Sequence, residues 1–144
     1  MKPFWEDEYL NKEKSTFGNP SKEVKELVLY LKKDAKILDV GCGDGRHALY
    51  LASLGFQVDA FDLSKNAIEK IDYLKQKNNL NIHTWVCDVL DYPFRYSYDL
   101  IIVHGVLQFI DKTKQPQVIE LLKKWTNVNG YHVIALFTDE EPIP

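Results

Sequence analysis

A chain of 144 residues has room for one domain with a proper core, and its 45% apolar and 27% charged content is that of an ordinary globular protein. A formal net charge of −3 gives no electrostatic reason to expect nucleic acid, and no run approaches the ~20 apolar residues that cross a bilayer. The acidic start Met1-Lys2-Pro3-Phe4-Trp5-Glu6-Asp7-Glu8 lacks a signal-peptide core, so a cytoplasmic protein with no membrane partner is expected.

In chain order, residues 1–20 read as an aromatic arm (Phe4, Trp5, Tyr9, Phe17) closed by Gly18-Asn19-Pro20, followed by an α/β core over 21–144. Ser21 offers an N-cap, and Val24, Leu27, Val28 and Leu31 recur with helical period. Lys36–Val40 reads as a buried strand, and Arg46–Leu54 as a helix ended by Gly55. Gln57–Phe61 is the second expected strand, and Ser64 caps a helix carrying Ala67, Ile71 and Leu74. Ile82–Cys87 and Tyr98–Val103 are the third and fourth strands. A helix with Val118, Leu121, Leu122 and Trp125 stops before Asn129-Gly130, and Tyr131–Phe137 is the fifth strand. Uniformly apolar strands alternating with helices predict an α/β, doubly wound, Rossmann-like parallel sheet in the order 3-2-1-4-5. The ligand is expected at the switch point between strands 1 and 4.

The loop after the first strand carries the chemistry. Asp39-Val40-Gly41-Cys42-Gly43-Asp44-Gly45-Arg46 places glycines at alternate positions between a strand and a helix. A dinucleotide fingerprint needs a glycine where Arg46 stands, and a P-loop needs a Gly-Lys-Ser/Thr ending that is absent. Asp39 ahead of the loop repels a pyrophosphate and suits a ligand carrying positive charge. This D-x-G-x-G-x-G pattern resembles motif I of the class I S-adenosylmethionine-dependent methyltransferases, whose ligand carries a sulfonium and an ammonium. The resemblance implies that Asp39, Gly41, Cys42, Gly43 and Gly45 surround the methionine end of S-adenosylmethionine.

Other strand ends complete the expected site. Asp62 is placed to accept both ribose hydroxyls, or else to cap a helix. Leu63 is either an adenine-packing residue or a plain loop residue. Asp88, before Val89, resembles the family's adenine-contacting aspartate, with Asp91 as rival. Arg46 opposes the macrodipole of its helix and needs compensation. A cofactor carboxylate, an oxyanion substrate, or a surface bridge to Asp44 or Glu8 would each supply it. His104 ends the fourth strand as a base, a polar wall or a structural histidine; no Asn/Asp-Pro-Pro-Tyr motif stands there, which disfavours methylation of nucleobase amines. Neither the histidines nor Cys42 and Cys87 show metal-ligand spacing.

Several segments together resemble the TehB tellurite-resistance methyltransferases: Phe4-Trp5-Glu6-Asp7-Glu8-Tyr9, Leu38 through Arg46, Leu51-Ala52-Ser53-Leu54-Gly55-Phe56, and Gly130-Tyr131-His132-Val133-Ile134. The resemblance implies methyl transfer to a small soft nucleophile such as tellurite, selenite or a thiol. It also makes Trp5 and Tyr9 candidate lid residues, against simple packing on the domain surface. Family members carry further strands and a basic C-terminal region, whereas this sequence stops at Glu140-Glu141-Pro142-Ile143-Pro144. The fifth strand is therefore expected to be an apolar edge, either part of a truncated domain or covered by a partner chain such as a second copy. A cofactor-binding but catalytically incompetent truncated module, a methyltransferase for another small metabolite and a nicotinamide-dependent oxidoreductase are the competing readings; Arg46 disfavours the last.

Overall fold

The computed structural model describes residues 2–137. Five parallel strands, β1 (Lys36–Val40), β2 (Gln57–Asp62), β3 (Ile82–Val86), β4 (Tyr98–His104) and β5 (Thr126–Ala135), form one sheet in the order β3-β2-β1-β4-β5. That is the expected doubly wound arrangement. The helices are α1 (Phe4–Glu8), α2 (Lys22–Leu27), α3 (Arg46–Ser53), α4 (Lys65–Lys77) and α5 (Gln115–Lys124).

Side chains of a strand alternate between faces, and each face here builds its own core. Ile37, Val58, Ala60, Leu100 and Ile102 pack against Val24 of α2, Ala48 and Leu51 of α3, and Ile68 and Ile71 of α4. Leu38, Val40, Ile101 and Val103 pack on the other face against Val118 and Leu122 of α5, joined by Val89 and Tyr92. Both faces are covered, which is why the strands carry so few polar residues. Ser21 caps α2 by accepting the Val24 N–H at 3.4 Å, and Ser64 caps α4 by accepting the Ala67 N–H at 3.1 Å.

Several ends shift by a residue or two (α3 stops at Ser53, β3 at Val86 and β5 at Ala135, and β4 runs on to His104), and two further differences bear on the site and the edge. β2 extends through Asp62, which places that carboxylate at the last strand position. β5 begins at Thr126 rather than Tyr131, and Asn129-Gly130 lies inside the strand instead of ending a helix. A register shift opposite Tyr98 and Leu100 accommodates those residues. Asn129 takes a φ of +65°, and a Cβ on Gly130 would meet the Asn127 carbonyl oxygen at 2.8 Å, so the turn signal was real but served a bulge. β5 is the sheet edge among the described residues, with Ile134 and, just past the strand, Leu136 exposed. The segment Glu140 to Pro144 lies outside the described residues.

Candidate functional site

The carboxyl ends of β1, β2 and β4 and the residues just past β3 open onto one cavity of about 600 Å³, roofed by α1 and the arm. A ligand crevice at the switch point is what this topology provides. The backbone leaves β1 through Gly41 (φ +60°) and Gly43 (φ +54°), both in the left-handed region that favours glycine. A Cβ on Gly41 would meet Val106 Cγ2 at 2.5 Å, so the β1 and β4 loops approach too closely for any side chain. The Cys42 N–H donates to the Phe61 carbonyl at 3.0 Å and ties the loop to β2.

Asp62 acts as a clamp. Its Oδ2 accepts the Gly43 N–H at 2.9 Å and its Oδ1 accepts the Ser64 N–H at 2.8 Å. Burial pushes its carboxyl up, and the Ser64 and Gly43 N–H groups oppose that shift. The capping of α4 is left to Ser64, so Asp62 faces the cavity with lone pairs still available.

Asp39 is buried on the α3 side of the sheet, and its Oδ2 finds no hydrogen-bond partner among the described residues. Burial pushes its carboxyl up to about 7, reinforced by the Asp62 charge and opposed by the Ala48 N–H and Arg46. A buried acceptor without a partner is costly. A cation in the cavity would relieve it.

The arm is wired to the loop at several points that sequence reasoning missed. Asp44, between two of the glycines, forms a buried pair with Lys70 at 2.9 Å and accepts the Thr16 N–H at 2.6 Å. Lys70 also donates to the Lys14 carbonyl at 2.6 Å. Glu6 accepts from Ser64 Oγ and Asn66 Nδ2, both at 2.9 Å. Tyr9 is buried, with its hydroxyl 3.0 Å from where a Gly43 Cβ would sit, and burial raises its phenol. Trp5 meets Phe109 edge-on at 5.6 Å between ring centroids.

Arg46 opens α3 and resolves its dipole conflict through neutral groups. Its Nη1 donates to the carbonyls of Phe17 (3.4 Å) and Asn19 (3.3 Å), and its Nη2 donates to His104 Nδ1 at 3.0 Å. No carboxylate among the described residues lies within ion-pair distance, so of the three alternatives for Arg46 the bridge to Asp44 or Glu8 is absent; Asp44 pairs with Lys70 instead. His104 is held below its ordinary value by burial and by Arg46. His47 behind it, its ring 5.1 Å from that of His104, is pushed down to about 3 by burial and accepts the Ser21 N–H at 3.1 Å.

The cavity gathers Asp39, Gly41, Cys42, Gly43, Arg46, Asp62, Leu63, Asp88, Val89, His104, Trp5 and Tyr9. Gly45 is the exception: a Cβ there would meet Ile71 Cγ1 at 2.8 Å, so its role is to let α3 start against α4. Asp91, the rival of Asp88, does not line the cavity. Asp88 Oδ1 accepts the Leu90 N–H at 2.9 Å, and Leu63 is 71% exposed on the rim. The lining also includes Val106, Phe109 and Ile110, for which neither motif nor period gave a signal, together with Phe4 of the aromatic arm and Phe137, the last residue of the expected fifth strand. Among the described residues no cluster suited to a metal ion exists, and no helix is long and apolar enough to cross a membrane.

A parallel sheet in this order, with a glycine loop facing acids at successive strand ends, defines the Rossmann-like methyltransferase fold. The chain belongs to the family described as tellurite resistance protein TehB, whose model matches residues 4–144. A Haemophilus influenzae protein named probable S-adenosyl-L-methionine-dependent methyltransferase TehB is 40% identical over 111 residues, covering 76% of this chain and 39% of that protein. The crystal structure of TehB from Haemophilus influenzae superposes with a TM-score of 0.77 at 34% identity, over 90% of this chain and 44% of the other. A TehB-like SAM-dependent methyltransferase from Corynebacterium glutamicum gives 0.75 at 26% identity, over 92% and 73%. The chain thus spans about two-fifths of the curated relative it matches.

Proposed function

We propose that this chain binds S-adenosylmethionine and transfers its methyl group to a small soft nucleophile, an oxyanion such as tellurite or selenite or a thiol. The observation that carries the proposal is the buried Asp39 carboxylate, with an unpartnered oxygen at the mouth of a left-handed glycine loop. The residues fit the cofactor. Asp39 and the Gly41–Gly43 backbone suit its cationic methionine end, Asp62 its ribose, and Leu63, Asp88 and Val89 its adenine.

When bound, the cofactor supplies a methyl group already activated on a sulfonium. The protein therefore has only to bind, orient and exclude water. Asp62 holds the loop in its open curve through the Gly43 N–H, and Tyr9 and Trp5 cover the cavity from above. His104 receives an Arg46 hydrogen bond on Nδ1, so its neutral ring carries the proton on Nε2 and cannot accept one from an acceptor there. The site thus works on nucleophiles that are already anionic. The 144 residues act as one domain in the cytoplasm, with a small molecule as substrate; a second copy pairing along β5 is the partner this reading adds.

The test is calorimetric titration with S-adenosylmethionine and NAD, followed by assay of S-adenosylhomocysteine formed with tellurite, selenite and small thiols. Cofactor affinity for the first and none for NAD is expected. Binding without product against every acceptor would leave a cofactor-binding module and remove the enzymatic claim.

A further inference from the structure

The arm is fastened to the core unevenly. Its second half is strapped down at several points: Lys12 lies over the Tyr73 ring at 5.0 Å, the Lys14 carbonyl accepts Lys70, the Thr16 N–H donates to Asp44, and the Phe17 and Asn19 carbonyls accept Arg46. α1, ahead of that strap, packs through Trp5 and Tyr9, and Glu6 is its one side chain hydrogen-bonded to the core among the described residues. Between the two halves, the N–H groups of Leu10 and Asn11 donate back to the Asp7 and Glu8 carbonyls, both at 3.1 Å, and Leu10 is exposed. A stretch whose hydrogen bonds all stay inside the arm opens more readily than its neighbours.

Ser64 is where the arm meets the site. Its N–H donates to Asp62 Oδ1 at 2.8 Å, and its Oγ donates to Glu6 Oε1 at 2.9 Å while accepting the Ala67 N–H at 3.1 Å. Asn66 Nδ2 gives Glu6 Oε1 a second hydrogen bond at 2.9 Å. One residue thus joins two carboxylates that both line the cavity. Burial raises the Asp62 carboxyl, and the Glu6 charge adds to that rise. Like charges this near oppose one another, so in the empty site Glu6 holds α1 against a repulsion.

We propose that Glu6 is a positioning residue of the cofactor site, which through Ser64 fastens α1 over the cavity when Asp62 is occupied. The proposal rests on the reading that Asp62 holds the ribose of S-adenosylmethionine. Hydroxyl groups donating to Asp62 draw off the charge that opposes Glu6, so the latch tightens around a bound nucleoside. Residues 12–19 stay in place, and α1 swings about Leu10 and Asn11. Ligand leaves only after the two Glu6 hydrogen bonds break. Because the ribose is common to S-adenosylmethionine and S-adenosylhomocysteine, release of the second is held by the same latch as retention of the first.

Hydrogen exchange read by mass spectrometry on the full chain, with and without S-adenosylhomocysteine, tests the hinge. Without ligand, residues 4–10 should exchange about tenfold faster than residues 14–20, the worth of one hydrogen bond to a charged group. Ligand should slow the first stretch and leave the second nearly unchanged. In stopped-flow displacement, Glu6→Ala should release S-adenosylhomocysteine about tenfold faster than the wild type, by the same reckoning. Glu6→Gln still accepts from Ser64 and Asn66 but carries no charge. It should restore slow release and shrink the effect of ligand on exchange, a rescue that a purely structural role for Glu6 would not give. Equal release rates in the wild type and Glu6→Ala, or uniform exchange over residues 4–20, overturn the proposal. Failure to bind S-adenosylhomocysteine at all overturns the methyltransferase reading instead; the latch is then judged on the ligand-free protein, where Glu6→Ala should speed exchange of residues 4–10 alone.

Discussion

The ammonium of Lys70 lies 2.9 Å from Asp44 Oδ2, with both side chains almost fully buried, and through this pair α4 holds both the glycine loop and the arm. Removing one member of such a pair strands the other charge in a place water cannot reach. Lys70→Met is expected to cost about 3–5 kcal/mol of stability, read by urea denaturation. Adding Asp44→Asn to it should restore a large part of that loss. Equal stability of Lys70→Met and wild type would show that the pair is not formed in solution.

Asp62 is expected to matter more for the loop than for the core. Its two oxygens hold the N–H groups of Gly43 and Ser64, and each such bond to a charged group contributes about 1.5–3 kcal/mol. Asp62→Ala should weaken S-adenosylmethionine binding by about 100-fold or more by calorimetry, while the far-ultraviolet circular dichroism stays that of the wild type. Unchanged affinity would remove Asp62 from the site.

Much of this was legible beforehand, and the reasons are local. The strand order followed from apolar runs alternating with helical periods, because both sheet faces are buried. The glycine loop was legible because left-handed backbone and close approach leave few alternatives to glycine. What escaped was tertiary. Asp44–Lys70 joins residues far apart in the chain, and nothing in the sequence marks which of its 16 lysines is buried. The apolar lining of the cavity comes from the arm, the segment after β4 and the residues just past β5, none of which shares a period. Asn129-Gly130 looked like a helix stop because a turn and a bulge use the same residues for the same left-handed φ.

Asp39 links function to pH. Its carboxyl, pushed up to about 7, binds a proton in the folded protein that the unfolded chain has already released between about pH 4 and 7. The folded state holds more protons across that window, so stability of the cofactor-free protein should fall as pH rises through it. A cationic ligand prefers the ionised form, so its affinity should rise over the same range, by up to about tenfold per pH unit below 7. Asp39→Asn should flatten both profiles, raise stability above pH 7 and weaken S-adenosylmethionine binding. Denaturation and calorimetry at several pH values separate these effects, and a wild-type affinity independent of pH would sink the assignment.

Gly43→Val tests the loop itself. Gly43 sits at φ +54°, where an L side chain costs about 1–2 kcal/mol, and its Cβ would stand 3.0 Å from the Tyr9 hydroxyl. The first cost falls on the loop and the second on the arm, so the variant should lose cofactor binding while the sheet stays folded. Proteolysis should then cut the arm before residue 20 faster than in the wild type, because Tyr9 can no longer seat over the loop. Tyr9→Phe removes only the hydroxyl that the new side chain would strike. In the Gly43→Val background it should slow that cleavage without restoring the affinity, since the strained backbone remains. Recovery of both together would mean that the arm, and not the curvature of the loop, limits binding.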